Sequence, residues 1–153
     1  GFTASLARRL NGLARLRVAE ALSGVVPEPG EAWIAKGGTH LLFSPEGAFL
    51  FDDGPPHLGV RPAVDVTAES AVKRWGGAVI LVVLTGMGTD GVEGARRVKE
   101  AGGRVIVQDE ASSVVYGMPR AVAENGLADT IASLDDIPAI LLEMAETHSM
   151  EVT

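Results

Sequence analysis

Residues Ala78 to Leu84 form an unbroken apolar run, AVILVVL, followed at once by TGMGTDG. No other stretch limits the fold as strongly. Most of the run is β-branched, which suits a pleated strand. A short continuous apolar run suits a strand buried on both faces of a parallel sheet. Three glycines then fall within six residues, Gly86, Gly88 and Gly91, around one carboxylate, Asp90. A helical pattern starts at Val92. The feature is a strand, a sharp turn and a helix N-terminus, and in open α/β sheets ligands gather at the carboxyl ends of such strands.

The flanking pattern agrees. Pro62 opens a helix whose inner face is Val64, Ala68, Ala71, Val72 and Trp75, and Gly76-Gly77 ends it. After the turn come a helix over 92–101, a buried strand over 104–107 and a loop over 109–118. A helix over 119–124 and a short strand over 127–132 follow. Asp135 caps a last helix carrying Ile137, Ile140, Leu141 and Met144, and the final residues are expected to fray. This alternation predicts an α/β fold: a doubly wound, mainly parallel sheet with helices on both faces. In the first half, Phe2, Leu6, Leu10 and Leu13 stand at helical spacing behind a Thr3 cap, and 17–22 reads as extended. Short apolar segments at 32–35, 40–43 and 48–51, separated by Gly-rich turns, predict a small antiparallel meander near residues 30–51.

Composition enters as a set of exclusions. At 153 residues the chain is expected to form a single domain. Its net charge of −7 argues against nucleic acid as a partner. The absence of cysteine removes thiol nucleophiles and zinc–thiolate sites, and it fits a reducing, cytoplasmic setting. No apolar run is long enough for membrane insertion, and no signal peptide is visible. Asp52-Asp53 invites a metal reading, but no ligand-like spacing supports it, and a solvated turn is the expectation. His57 in the same loop reads as a surface residue.

The glycine turn admits three readings. Gly86-Met87-Gly88-Thr89-Asp90-Gly91 fits G-x-G-x-x-G after a strand, and Asp109 follows at the end of the next strand. That is the dinucleotide fingerprint. Against it, Asp90 near the helix start would occupy and repel where a pyrophosphate should bind. In the second reading Asp90 holds an imidazole, fixing its tautomer and stabilising the imidazolium, while turn N–H groups face a developing oxyanion. In the third, Asp90 is only a helix N-cap, worth about 1 kcal/mol.

The segments LTGMGTDG and AGGRVIVQDEASSVVYGMPR, together with GFTASLARRLN, PGEAWIAKGGTH, DDGPP and RPAVD in that order, resemble the catalytic domain of bacterial chemotaxis protein-glutamate methylesterases, the CheB family. The resemblance covers about residues 1 to 138. It implies hydrolysis of glutamate γ-methyl esters on chemoreceptors, in some members also deamidation of receptor glutamines, by a Ser-His-Asp triad that needs no cofactor and no metal. The triad acid maps onto Asp90, and an oxyanion contact onto the backbone N–H of Met87. The implied partner is the cytoplasmic domain of a methylated chemoreceptor. A regulatory receiver domain is not in this chain.

The family's serine and histidine precede the segment matching Gly1-Phe2-Thr3, so the chain is expected to be an N-terminally incomplete catalytic domain, without the first strand, the nucleophile turn and the histidine segment. A first parallel strand would lie beside 78–84, and without it that edge needs another cover. Ser112, Ser113, His40 and His57 match neither missing position. Val60 and Ala63 stand where the family commonly has histidine and serine, Lys36 replaces a usual proline, and Trp33 a usual tyrosine. The alternatives to an esterase are a non-catalytic receptor-binding module and a dinucleotide-binding domain.

Overall fold

A computed structural model describes residues 1–152, with side chains as far as Thr147. The expected fraying at the C-terminus therefore lies outside the described side chains, although the last helix itself runs to Val152. The chain divides into two compact units, residues 1–74 and 75–153.

The first unit opens with α1 (Phe2–Leu13), then β1 (Arg17–Glu20), β2 (Glu31–Ile34), β3 (His40–Phe43), β4 (Phe49–Asp52) and most of α2 (Val64–Trp75). β1 and β2 pair in parallel, Arg17 opposite Glu31. β3 and β4 form an antiparallel hairpin, His40 opposite Asp52. The expected meander is thus corrected: only 40–52 is antiparallel, and 31–34 turns away to pair with β1. The reason is tertiary. Val18 is buried and accepts this partner, and no local signal distinguishes a parallel neighbour from a hairpin neighbour for a four-residue strand.

The core of this unit is Ala21, Leu41 and Phe49, with Trp33 and Phe43 packed on it. The ring centroids of Trp33 and Phe49 lie 5.3 Å apart edge to face. α2 closes the free edge of β3 with hydroxyls: Thr67 Oγ1 donates to the Leu41 carbonyl at 2.7 Å, and the Phe43 N–H donates to Ser70 Oγ at 2.8 Å. α1 departs from expectation at both ends. Its N-cap is Gly1, and Thr3 instead hydrogen-bonds Glu20. Phe2 and Leu13 stay exposed, and Ala7 is the residue buried against the strands.

The second unit holds β5 (Ile80–Val83), α3 (Val92–Glu100), β6 (Arg104–Gln108), α4 (Met118–Glu124), β7 (Thr130–Ala132) and α5 (Ile137–Val152). The three strands are parallel in the order β5-β6-β7. Alternating helices and parallel strands make the α/β class plain. The run that opened the sequence analysis is shorter than expected, because Gly76–Ala78 is a turn of 3-10 helix. β5 lies at the edge of this sheet, as the lack of a first strand beside it implies, but the expected burial on both faces is not met: only Val83 is buried. The central position belongs to β6, where Val105, Ile106, Val107 and Gln108 are all completely buried. Each of its three apolar side chains contributes about 1.5–3 kcal/mol by leaving water. α3 and α4 both pack on β6. No helix among the described residues is long and apolar enough to cross a membrane.

Candidate active site

The sharp turn between β5 and α3 exists because its glycines adopt backbone that other residues resist. Gly88 has φ 99° and Gly91 φ 114°. Gly86 and Gly117 serve a different need, close approach of two chains. A Cβ on Gly117 would lie 2.7 Å from the Gly86 carbonyl oxygen, and one on Gly86 would lie 2.7 Å from Met118 Sδ. Across this contact Gly86 N–H donates to Val115 C=O at 3.0 Å, and Met118 N–H donates to Gly86 C=O at 2.8 Å. Thr85 Oγ1 donates to Val115 C=O and accepts from Val115 N–H at 2.8 Å. The turn over 84–91 and the loop over 109–117 are therefore laced into one rim at the carboxyl end of the sheet.

Asp90 and Met87 lie together on this turn, with opposite exposures. Asp90 is 8% exposed, whereas Met87 is 86% exposed. Among the described residues nothing accepts from the Met87 N–H. α3 takes Gly91 as its N-cap, with no side-chain cap bond. The reading of Asp90 as a mere N-cap is thereby corrected. Asp90 stands one residue ahead of the N-cap, near the positive end of the helix dipole.

The dinucleotide reading loses two donors at the entry to the turn, and its acid. The N–H groups of Thr85 and Gly86, which lead into the turn, are bound to Gln108 Oε1 and the Val115 carbonyl. The Asp109 carboxylate accepts from Ser112 Oγ at 2.6 Å and Ser112 N–H at 3.0 Å. The Ser112 side chain, then its backbone N–H, hold the Asp109 pKa below the usual aspartate range. That group closes its own loop and does not reach for a ribose.

The residues set aside as nucleophile or base have structural employment. Ser112 Oγ is shared among Asp109, Gln108 Nε2 and the Leu134 N–H, and Ser113 Oγ donates to the Asp109 carbonyl. His40, buried, donates from Nε2 to the Pro55 carbonyl at 2.9 Å. His57 is not the plain surface residue expected. It is half-buried and donates from Nε2 to Oδ2 of buried Asp65 at 2.8 Å, in the first turn of α2. Arg61 Nη1 donates to the carbonyls of Asp53 and Gly54, and Asp52 Oδ1 accepts from Gly54 N–H. Asp52-Asp53 thus forms a self-bonded turn tied down at both ends. Sequence reasoning missed the His57–Asp65 pair and Gln108. The available signal for Gln108 was an amide closing the apolar strand RVIVQ just before Asp109.

A parallel α/β sheet carrying a buried acid on a glycine turn at a strand's carboxyl end defines the class: an α/β domain of the kind in which ligands gather at that rim. The sequence model for CheB methylesterase matches residues 1–141, and the chain belongs to that family. Among its relatives, a protein-glutamate methylesterase/protein-glutamine glutaminase 2 of Pseudomonas savastanoi pv. phaseolicola is 48% identical over 142 residues. That match covers 93% of this chain and 37% of the relative. A protein-glutamate methylesterase/protein-glutamine glutaminase of Symbiobacterium thermophilum is 46% identical, with 90% of this chain and 38% of the relative covered. The chain thus spans less than half the length of these relatives. The crystal structure of the Thermotoga maritima CheB methylesterase catalytic domain superposes with a TM-score of 0.91 at 43% identity, covering 94% of this chain and 78% of that one.

Proposed function

We propose that the protein carrying this chain is a protein-glutamate methylesterase acting in the cytoplasm on chemoreceptors, and that residues 1–153 are part of its catalytic domain. One observation carries the reading: a nearly buried carboxylate, Asp90, shares a turn with a backbone donor, the Met87 N–H, in a chain of the CheB family. Asp90 accepts a hydrogen bond from the ring N–H of a histidine and stabilises it as imidazolium. The histidine takes the proton of a serine hydroxyl, whose oxygen attacks the γ-ester carbonyl. Met87 N–H donates to the oxyanion that forms. Collapse expels methoxide, which leaves as methanol with the proton from the histidine. Water then hydrolyses the acyl-serine to free glutamate and restores the enzyme. The same steps on a glutamine side chain release ammonia. Serine and histidine belong to a segment ahead of residue 1 in the longer protein.

The test is methanol release from methylated receptor by the full-length protein and its Asp90→Asn variant. The variant should lose about 10⁴ in kcat, as in the serine-protease template. Near-wild-type turnover would remove Asp90 from the triad. Receptor binding by the wild-type protein without any methanol release would favour a non-catalytic receptor-binding module.

A further inference from the structure

Among the described residues Gln108 is the one polar side chain with no exposed surface. It ends β6, the central strand of its sheet, and its amide spans the two loops that make the rim. Oε1 accepts from the Thr85 N–H at 2.8 Å, and Nε2 donates to the Ser112 carbonyl at 2.8 Å, with Ser112 Oγ at 3.2 Å. A buried amide costs stability unless its hydrogen bonds are made, and it holds its partners firmly when they are. Thr85 stands two residues before Met87. β5 ends at Val83, and the next backbone pairing is the isolated parallel bridge of Gly86 with Tyr116, one residue beyond Thr85. The first fixed point of the turn is therefore the Gln108 oxygen. The second is the Gly86–Val115 bond, and Val115 belongs to the loop whose start the Gln108 nitrogen fastens through Ser112.

We propose that Gln108 is a positioning residue for the oxyanion turn: its buried side-chain amide sets the placement of the Met87 N–H from below while tying the 109–117 loop to it from the side. This rests on the esterase reading of the site. An oxyanion donor serves catalysis only if it waits at the place where charge will develop. A glycine-rich turn with φ values near 100° has no such stiffness by itself. Gln108 touches neither substrate nor reacting atoms, and its effect passes through Thr85 and the turn.

Two variants of the full-length protein separate positioning from mere stability. Gln108→Met keeps the volume and removes all three hydrogen bonds. Gln108→Glu keeps an acceptor for the Thr85 N–H but buries a carboxyl group, the costlier change for folding. Under the proposal Gln108→Met lowers kcat about 10–100-fold with KM within twofold. Gln108→Glu, though the less stable protein, retains the larger share of kcat. A kcat order that follows thermal stability, or kcat within twofold of wild type in both, overturns the proposal. Should neither variant fold, hydrogen exchange on the wild-type protein decides. Slow exchange at the backbone amide of Thr85, an exposed residue, and at the Gln108 side-chain amide supports the anchor, and exchange as fast as in an open loop overturns it. Absence of methanol release by wild type refutes the esterase reading and the catalytic role together. Thr85 protection still reports on the anchor itself.

Discussion

Gly117 sits where two backbones nearly touch, so one added methyl group tests how tightly the rim is built. In Gly117→Ala the new Cβ would lie 2.7 Å from the Gly86 carbonyl oxygen, 3.1 Å from Gly88 N and 3.3 Å from Met87 Cα. All three neighbours are backbone, which cannot swing aside as a side chain can. The loops must part by about 0.3 Å to escape the overlap and about 0.7 Å to reach ordinary contact. The Gly117 N–H to Gly86 C=O bond, already 3.2 Å, would open. Overpacking of this kind costs about 1–3 kcal/mol and the lost bond about 1 more, so a total of about 2–4 kcal/mol is expected. Gly117 has φ −98°, a region open to alanine, so the penalty reports the clash and not backbone strain. Urea unfolding should show a lower midpoint at unchanged slope. A midpoint equal to wild type would mean that the 86–88 and 117 backbones are not held in contact, and the argument for a rigid rim would fail.

The other expectations are more local. Gly103→Ala would place a Cβ 2.5 Å from the Val79 carbonyl oxygen and 2.7 Å from Val98 Cγ1, and should cost at least as much as Gly117→Ala by the same urea assay. Ser70→Ala leaves the Phe43 N–H without its acceptor at the edge of β3 and should lower stability by about 1–3 kcal/mol, whereas Ser70→Thr, keeping the hydroxyl, should recover part of it. The lowered pKa of Asp109 fixes a sign. Its contribution is complete above the ordinary aspartate value and is lost as pH falls through the lower folded value. Asp109→Asn should therefore be less stable than wild type at neutral pH and converge with it in acid. A constant difference across the acid range would contradict that linkage.

Much of this molecule is legible in one dimension because strand, turn and helix signals are local. The β-branched run before the glycines, the glycine positions at φ near 100° and the apolar spacing of Val92, Ala95 and Val98 each act within a few residues, and they place Asp90 and Met87 on one turn without any tertiary knowledge. What the chain in order does not carry is which strand lies beside which. A four-residue strand such as 31–34 pairs in parallel or antiparallel with equal local propriety, and its neighbour is chosen by burial across the unit. The same holds for depth. The apolar run of β5 and that of β6 read alike, yet only the sheet order makes β6 central and leaves β5 half-covered. Side-chain bonds between separated residues are likewise set by neighbours in space. Gln108 meets Thr85 across 23 positions and His57 meets Asp65 across a turn, because folding brings buried polar groups to whatever partner remains. The sequence by itself determined that Asp90 and Met87 share one glycine turn at the end of an apolar strand. The tertiary structure decided what holds that turn still, since a buried hydrogen bond is a property of neighbours in space.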